Sequence, residues 1–276
     1  MDSRGSLRDL ARRSSLDERR HFAHAVTPHA YRQRVKHAIV SALRRREDVI
    51  GCWEGGSAAT GRLDEFSDVD LVIVASLDAA DPIFADVEAA ISNIAEIVHR
   101  WHVDPPPFPD SAQRFYFLAG APRFFAVDCV IVTESGAAQI LERERHGEPQ
   151  VEFDRSAKIA ALPLDRNALD TRRSRRLGQL RGAVPIFRML VQKELARGHP
   201  LEAFGFHQVL LRALIELLGM RYRPDRFDFS WRYVEIELPD HAQQLIERYA
   251  FVADAGALLQ LSSELGDELM RQLESL

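Results

Sequence analysis

Two aspartates, Asp68 and Asp70, open the apolar run DVDLVIV. Side chains at i and i+2 of a strand share a face, so the two carboxylates project together while Val69 and Leu71 point the other way. Paired acids repel one another unless a cation sits between them. Hard oxygen ligands on one side of an open site suit Mg²⁺, which keeps some of its waters and accepts phosphate oxygens. Upstream, Gly55-Gly56-Ser57 ends one apolar run and opens a short helix. Glycine lets backbone approach a ligand, the N–H groups of a helix start attract phosphate, and Ser57 adds a hydroxyl donor. Together these pieces can hold a triphosphate and its metal at one sheet edge. Two-metal phosphoryl transfer needs a further ligand facing the attacking oxygen. The candidate is Asp128, alone inside FFAVDCVIV, where an acid is costly to bury unless it is paired or metal-bound.

Other polar residues carry weaker signals. Arg62 stands between the Gly-Ser step and the acids, and position alone serves a phosphate contact and a solvated loop arginine equally. Lys193, in the helical pattern VPIFRMLVQKELARG, is a candidate for the β- or γ-phosphate, against the ordinary reading of a solvated helix lysine. Asp64 and Glu65 read as loop charge. His102 and Asp104 lack a partner nucleophile motif and read as structural or surface groups. His207, inside FGFHQVLLRALIELL, reads as a buried, hydrogen-bonded histidine. The aromatic and basic segment RYRPDRFDFSWRYV reads as an inter-helix loop anchored by its rings, with some substrate contact.

The elements that must position these groups follow from periodicity. Residues 31–46 place Val35, Ala38, Ile39 and Leu43 on one helical face. Residues 49–53 form a strand ending at Gly55-Gly56, and residues 69–74 form a second, rich in β-branched groups. The pattern from 81 to about 102 predicts a helix with Pro82 near its first turn. Residues 114–118 and 124–132 predict a hairpin of strands. After about residue 134 no strand is expected, and helical patterns cover 167–197, 201–220 and 258–276. The predicted fold class is α/β (α+β): a small, mixed, twisted sheet with helices on one face over residues 31–150, then a helical bundle of four or five helices over 151–276, with a cleft between the halves. Residues 1–30 read as a polar leader.

Composition sets the outer limits. The 276 residues are 46% hydrophobic and 28% charged, which excludes wholesale disorder. A net charge of −5 argues against a protein whose main work is coating nucleic acid. Cys52 and Cys129 are the two cysteines, too few for a disulfide framework; buried free thiols suit a reducing cytoplasm. No apolar stretch is expected to approach the ~20 residues that span a bilayer.

The segment GGSAATGRLDEFSDVDL resembles the signature of the polymerase-β-like nucleotidyltransferase superfamily: a Gly-Ser step, a short variable helix, Asp-x-Asp on a strand and a third acid on a later strand. The nearest look is to bacterial small-molecule nucleotidyltransferases, the group of aminoglycoside and lincosamide adenylyltransferases, over roughly residues 50–132. The resemblance implies that Gly56 and Ser57 bind the triphosphate and that Asp68 and Asp70 hold Mg²⁺. Asp128 would bind the catalytic metal or take the proton of the acceptor hydroxyl. It implies an enzyme that transfers a nucleoside monophosphate, AMP from ATP, to a hydroxyl of a small molecule. A protein acceptor of the toxin–antitoxin kind, an RNA end, and a non-catalytic NTP-binding module are the alternatives.

Overall fold

The computed structural model describes residues 27–106 and 108–276. Of the expected leader, residues 1–26 lie outside the described residues. The rest opens the first helix, whose N-cap Thr27 accepts a hydrogen bond from the Ala30 N–H at 3.2 Å. In chain order the elements are α1 (Pro28–Leu43), β1 (Val49–Glu54), α2 (Gly56–Ala59), β2 (Val69–Ala75), α3 (Ala80–Ser92), β3 (Ile97–His102), β4 (Ser111–Leu118), β5 (Val127–Val132), α4 (Glu134–Ala137), α5 (Arg143–His146), β6 (Gln150–Asp154), α6 (Arg166–Ala196), α7 (Pro200–Tyr222), α8 (Val234–Glu237), α9 (Asp240–Ala250) and α10 (Ala255–Ser275). They form two compact units. The first runs through Leu141 and adds His146–Leu162; the second comprises Glu142–Arg145 and Pro163–Leu276.

The first unit is built on a six-stranded mixed sheet in the order β3-β4-β5-β2-β1-β6. Only β2 and β5 pair in parallel; the other neighbours are antiparallel. The side-chain alternation of β2 divides its two faces. Val69, Leu71 and Ile73 join the larger core with Val35, Ile39 and Leu43 of α1 and Ile83, Phe84 and Val87 of α3. Val72 and Val74 join a smaller cluster on the opposite face with Trp53, Val130, Val132 and Ala137. Both cysteines are buried and free.

In this unit two expectations need correcting. The helix expected to run to about residue 102 stops at Ser92, and Ile97–His102 form strand β3 against β4. Pairing with β4 outweighs the helical periodicity there, and the β-branched and aromatic content of IVHRWH suits a strand. The second correction is β6. Gln150–Asp154 pairs with β1 although no strand was expected after 134; a five-residue segment between charged neighbours shows its alternation only once the outer edge of β1 is seen to need a partner.

The second unit is a helical bundle. Side-chain oxygens of Asp165 and Asp254 cap α6 and α10, accepting from Ala168 N and Ala257 N at 2.9 and 2.8 Å. At its centre is α7, whose Leu210, Leu211, Leu214, Ile215, Leu217 and Leu218 are all buried. At 23 residues, α7 is long and apolar enough to cross a membrane, contrary to the expectation that no stretch approaches that length; most of its apolar side chains lie in the bundle core, while Leu201, Phe204 and Val209 are exposed. The amphipathic α9 was not among the expected helices.

His207 is buried on α7, as expected. Its Nδ1 lies 2.9 Å from Ser262 Oγ and its Nε2 2.8 Å from the Tyr249 carbonyl, so Nε2 carries the hydrogen and Nδ1 accepts. Burial pushes the His207 pKa down, against the Tyr249 carbonyl, which favours the charged form. The unfolded chain therefore takes up a proton below about pH 6.5 that the folded chain refuses. Stability contributed by neutral His207 is full above that pH and is lost as pH falls towards the depressed folded value. Urea midpoints at pH 7.5 and 5.5 should show a fall that His207→Gln largely removes; an unchanged fall would place the acid sensitivity elsewhere.

Candidate active site

The topology gathers the predicted groups at one edge of the first unit. The C-terminal end of β1 lies beside the N-terminal end of its antiparallel neighbour β2, and β5 starts alongside β2 because the two are parallel. Asp70 and Asp128 are register partners, on adjacent strands about 4.8 Å apart. By the alternation of their strands they share the face of Val72, Val74, Val130 and Val132.

Asp68 falls one residue before β2 and is held from two sides. Its Oδ1 accepts from the Ala126 N–H at 2.6 Å, and its backbone carbonyl accepts from Arg32 Nε at 2.7 Å. Burial pushes the Asp68 carboxyl above the ordinary aspartate value, against the Ala126 N–H and the Arg32 charge. A carboxylate short of solvation in this way gains from a cation beside it.

Gly56 is in the left-handed region, at φ +55°, and a Cβ there would fall 2.0 Å from Asp70 Oδ2. The Asp70 carboxylate thus rests against the backbone of the Gly-Ser turn, and the Asp70 carbonyl accepts from the Gly55 N–H at 2.9 Å. Ser57 Oγ is buried and has no hydrogen-bond partner among the described residues. An orphaned hydroxyl beside a helix start and a set of carboxylates fits a phosphate-bearing ligand and its cation. Gly56→Ala should lower turnover at least tenfold, since the methyl must displace Asp70. The left-handed backbone alone costs alanine about 1 kcal/mol. A variant of wild-type activity would show that Asp70 does not need its position over the turn.

Two residues missed in the sequence complete the frame. The Gln113 amide nitrogen on β4 lies 2.8 Å from each oxygen of Asp128; its role emerges only from the β4–β5 register. Glu54, buried at the end of β1, is paired by Arg32 and by Lys36 at 3.0 Å. The i,i+4 spacing of Arg32 and Lys36 beside an acid ending an apolar strand was the available signal.

The remaining candidates are placed as follows. Arg62, in the loop after α2, donates its backbone N–H to the Ser57 carbonyl at 2.9 Å. Lys193 belongs to the second unit, on α6, with its ammonium 3.8 Å from Glu194. Asp64 caps its own loop, accepting from Phe66 N and Ser67 Oγ. Among the described residues, the trio of acid and imidazole groups that closes to within 4.8 Å is Glu194, His199 and Glu202. Glu194 there already pairs with Arg197 and His199, so that corner reads as an ion-paired helix junction. Asp68, Asp70 and Asp128 do not close to that distance; the Ala126 N–H holds Asp68, Gln113 holds Asp128, and Asp70 lies against the Gly56 turn.

No family model and no curated protein matches the chain. Solved structures that are similar to it in part include the following three. A nucleotidyltransferase-like protein from Exiguobacterium sibiricum 255-15 shares 12% identity over 88% of this chain and 74% of that one, with a TM-score of 0.34. The spectinomycin adenyltransferase AAD(9) from Enterococcus faecialis, with ATP and spectinomycin, shares 14% identity over 87% of this chain and 98% of that one, with a TM-score of 0.34. A STING-associated CdnE c-di-GMP synthase from Capnocytophaga granulosa shares 13% identity over 98% of this chain and 95% of that one, with a TM-score of 0.27. At identities and TM-scores this low, none of the three carries a function to this chain.

Proposed function

We propose that the chain is a metal-dependent nucleotidyltransferase that moves a nucleoside monophosphate, AMP from ATP, onto a hydroxyl of a small-molecule acceptor and releases pyrophosphate. The observation that carries this reading is the juxtaposition of Asp70 and Asp128 in parallel register with the Gly56 turn packed on Asp70. Three carboxylates at one edge, beside the start of α2 and a Ser57 hydroxyl with no partner among the described residues, are a donor set for a divalent cation and a triphosphate.

Asp68, Asp70 and Asp128 would hold Mg²⁺, which when bound neutralises phosphate charge and lowers the pKa of a coordinated hydroxyl. The chain's own groups do the rest. The α2 N–H groups and Ser57 bind and orient the triphosphate. The acceptor oxygen bonds to the α-phosphorus, the bond from that phosphorus to the α,β-bridging oxygen breaks, and pyrophosphate leaves with the electron pair. Asp128 accepts the hydroxyl proton, and Gln113 fixes its orientation. Catalysis of this kind is mainly positioning and charge neutralisation.

Calorimetric titration of each of the four NTPs, with and without Mg²⁺, tests the reading. Saturable binding of one NTP only in the presence of Mg²⁺ is expected. Absence of binding for all four would overturn it.

A further inference from the structure

The sheet face that carries the acids continues sideways into an aromatic surface. Trp101 of β3 is the register partner of Phe115 of β4, Phe115 is the partner of Asp128, and Asp128 is the partner of Asp70. One row across four strands therefore reads Trp101, Phe115, Asp128, Asp70. The Trp101 and Phe115 rings stack at 5.4 Å with 19° between their planes. One step along the strands, His99 and Phe117 repeat the arrangement at 5.6 Å and 28°. These rings are not core: Trp101 is 54% and Phe117 48% exposed. The large core lies on the opposite face of β4, where Tyr116 and Leu118 are buried. Large aromatics left in water in ordered pairs beside a reactive carboxylate are unusual without a ligand to cover them.

We infer that this aromatic row is the acceptor subsite, and that the acceptor is a hydroxyl compound bearing a neutral, flat aromatic ring, of which a nucleoside is the simplest example. The inference rests on the nucleotidyl-transfer reading and deepens it. A ring stacked on Trp101 and Phe115 places an attached hydroxyl at the next position of the row, which is Asp128. There the oxygen can bond to the α-phosphorus, with its proton passing to Asp128 and pyrophosphate leaving. Charge selects the class. Neither β3 nor β4 contains a single Asp or Glu, so a polycationic sugar would find no carboxylates on the platform. A neutral π-face finds two stacked ring pairs, and stacking of this kind accepts any base.

The test uses the full chain with Mg²⁺ and a saturating non-hydrolysable ATP analogue, so that the ATP position is filled. Adenosine, guanosine, cytidine and uridine are titrated into this complex by calorimetry. Saturable binding of at least one nucleoside is expected, weakened about tenfold in Trp101→Ala and restored in Trp101→Phe. Binding of the ATP analogue, followed by calorimetry, should be equal in all three proteins, and so should their thermal melts. No response to any nucleoside, or a response that Trp101→Ala leaves unchanged, overturns the subsite while analogue binding leaves the transfer reading standing. Failure of wild-type protein to bind the analogue overturns the transfer reading and the subsite with it.

Discussion

Asp70→Asn should lower turnover by about 10³-fold and abolish the stabilisation that Mg²⁺ gives the wild-type protein. The two effects have one cause. Asp70 faces its register partner Asp128 across adjacent parallel strands and is pressed against the Gly56 turn. An asparagine keeps the volume and the contact with the turn but removes one charge and a ligand for the cation. Mg²⁺ should stabilise the wild-type protein and leave the variant's melt unmoved, because one of its ligands has gone. Activity assays and melts with and without Mg²⁺ decide the matter. Unchanged activity would remove Asp70 from the metal set, and a fall in both activity and melting temperature would make it a structural residue.

The parts of this site that were legible are those encoded by local spacing. Asp-x-Asp before a β-branched run, a Gly-Ser step after an apolar run, and a lone acid inside FFAVDCVIV each carry their meaning in a few residues. The long helices were legible for the same reason, since α6, α7 and α10 repeat an apolar face over many turns. What was hidden depends on pairing between distant segments. Residues 97–102 follow a helical pattern until β4 is there to accept them. Gln113 is an ordinary strand glutamine until the register sets it beside Asp128. The aromatic row needs three successive registers before Trp101 and Asp70 fall on one line. The i, i+2 spacing sets Asp68 beside Asp70, but the Ala126 N–H that holds its carboxylate is there only because β5 begins beside β2.

The largest effect on stability is expected at Glu54, a residue no motif contains. Glu54 and Arg32 are both almost fully buried, 1% and 3% exposed, and are paired with each other. Lys36 adds a second cation, 3.0 Å from Glu54 and 2.6 Å from Glu152. Glu54→Gln would leave the Arg32 guanidinium buried without its counter-charge, and breaking a buried pair from one side costs about 3–5 kcal/mol. The consequence reaches the site, because Arg32 Nε also holds the Asp68 carbonyl at 2.7 Å. A shifted Arg32 releases the backbone that presents Asp68, so Mg²⁺-dependent nucleotide binding should weaken along with the fold. Replacing both partners by apolar groups separates the two roles. The double variant Arg32→Met, Glu54→Leu leaves no buried unpaired charge on either side and should recover most of the lost stability. It still lacks the donor to Asp68, so nucleotide binding should stay weak in a protein that is again well folded. Urea unfolding and calorimetry on the single and double variants give both readouts. A single variant that loses under 1 kcal/mol would show that the pair does not hold this edge. A double variant with normal nucleotide binding would show that Asp68 is positioned without Arg32.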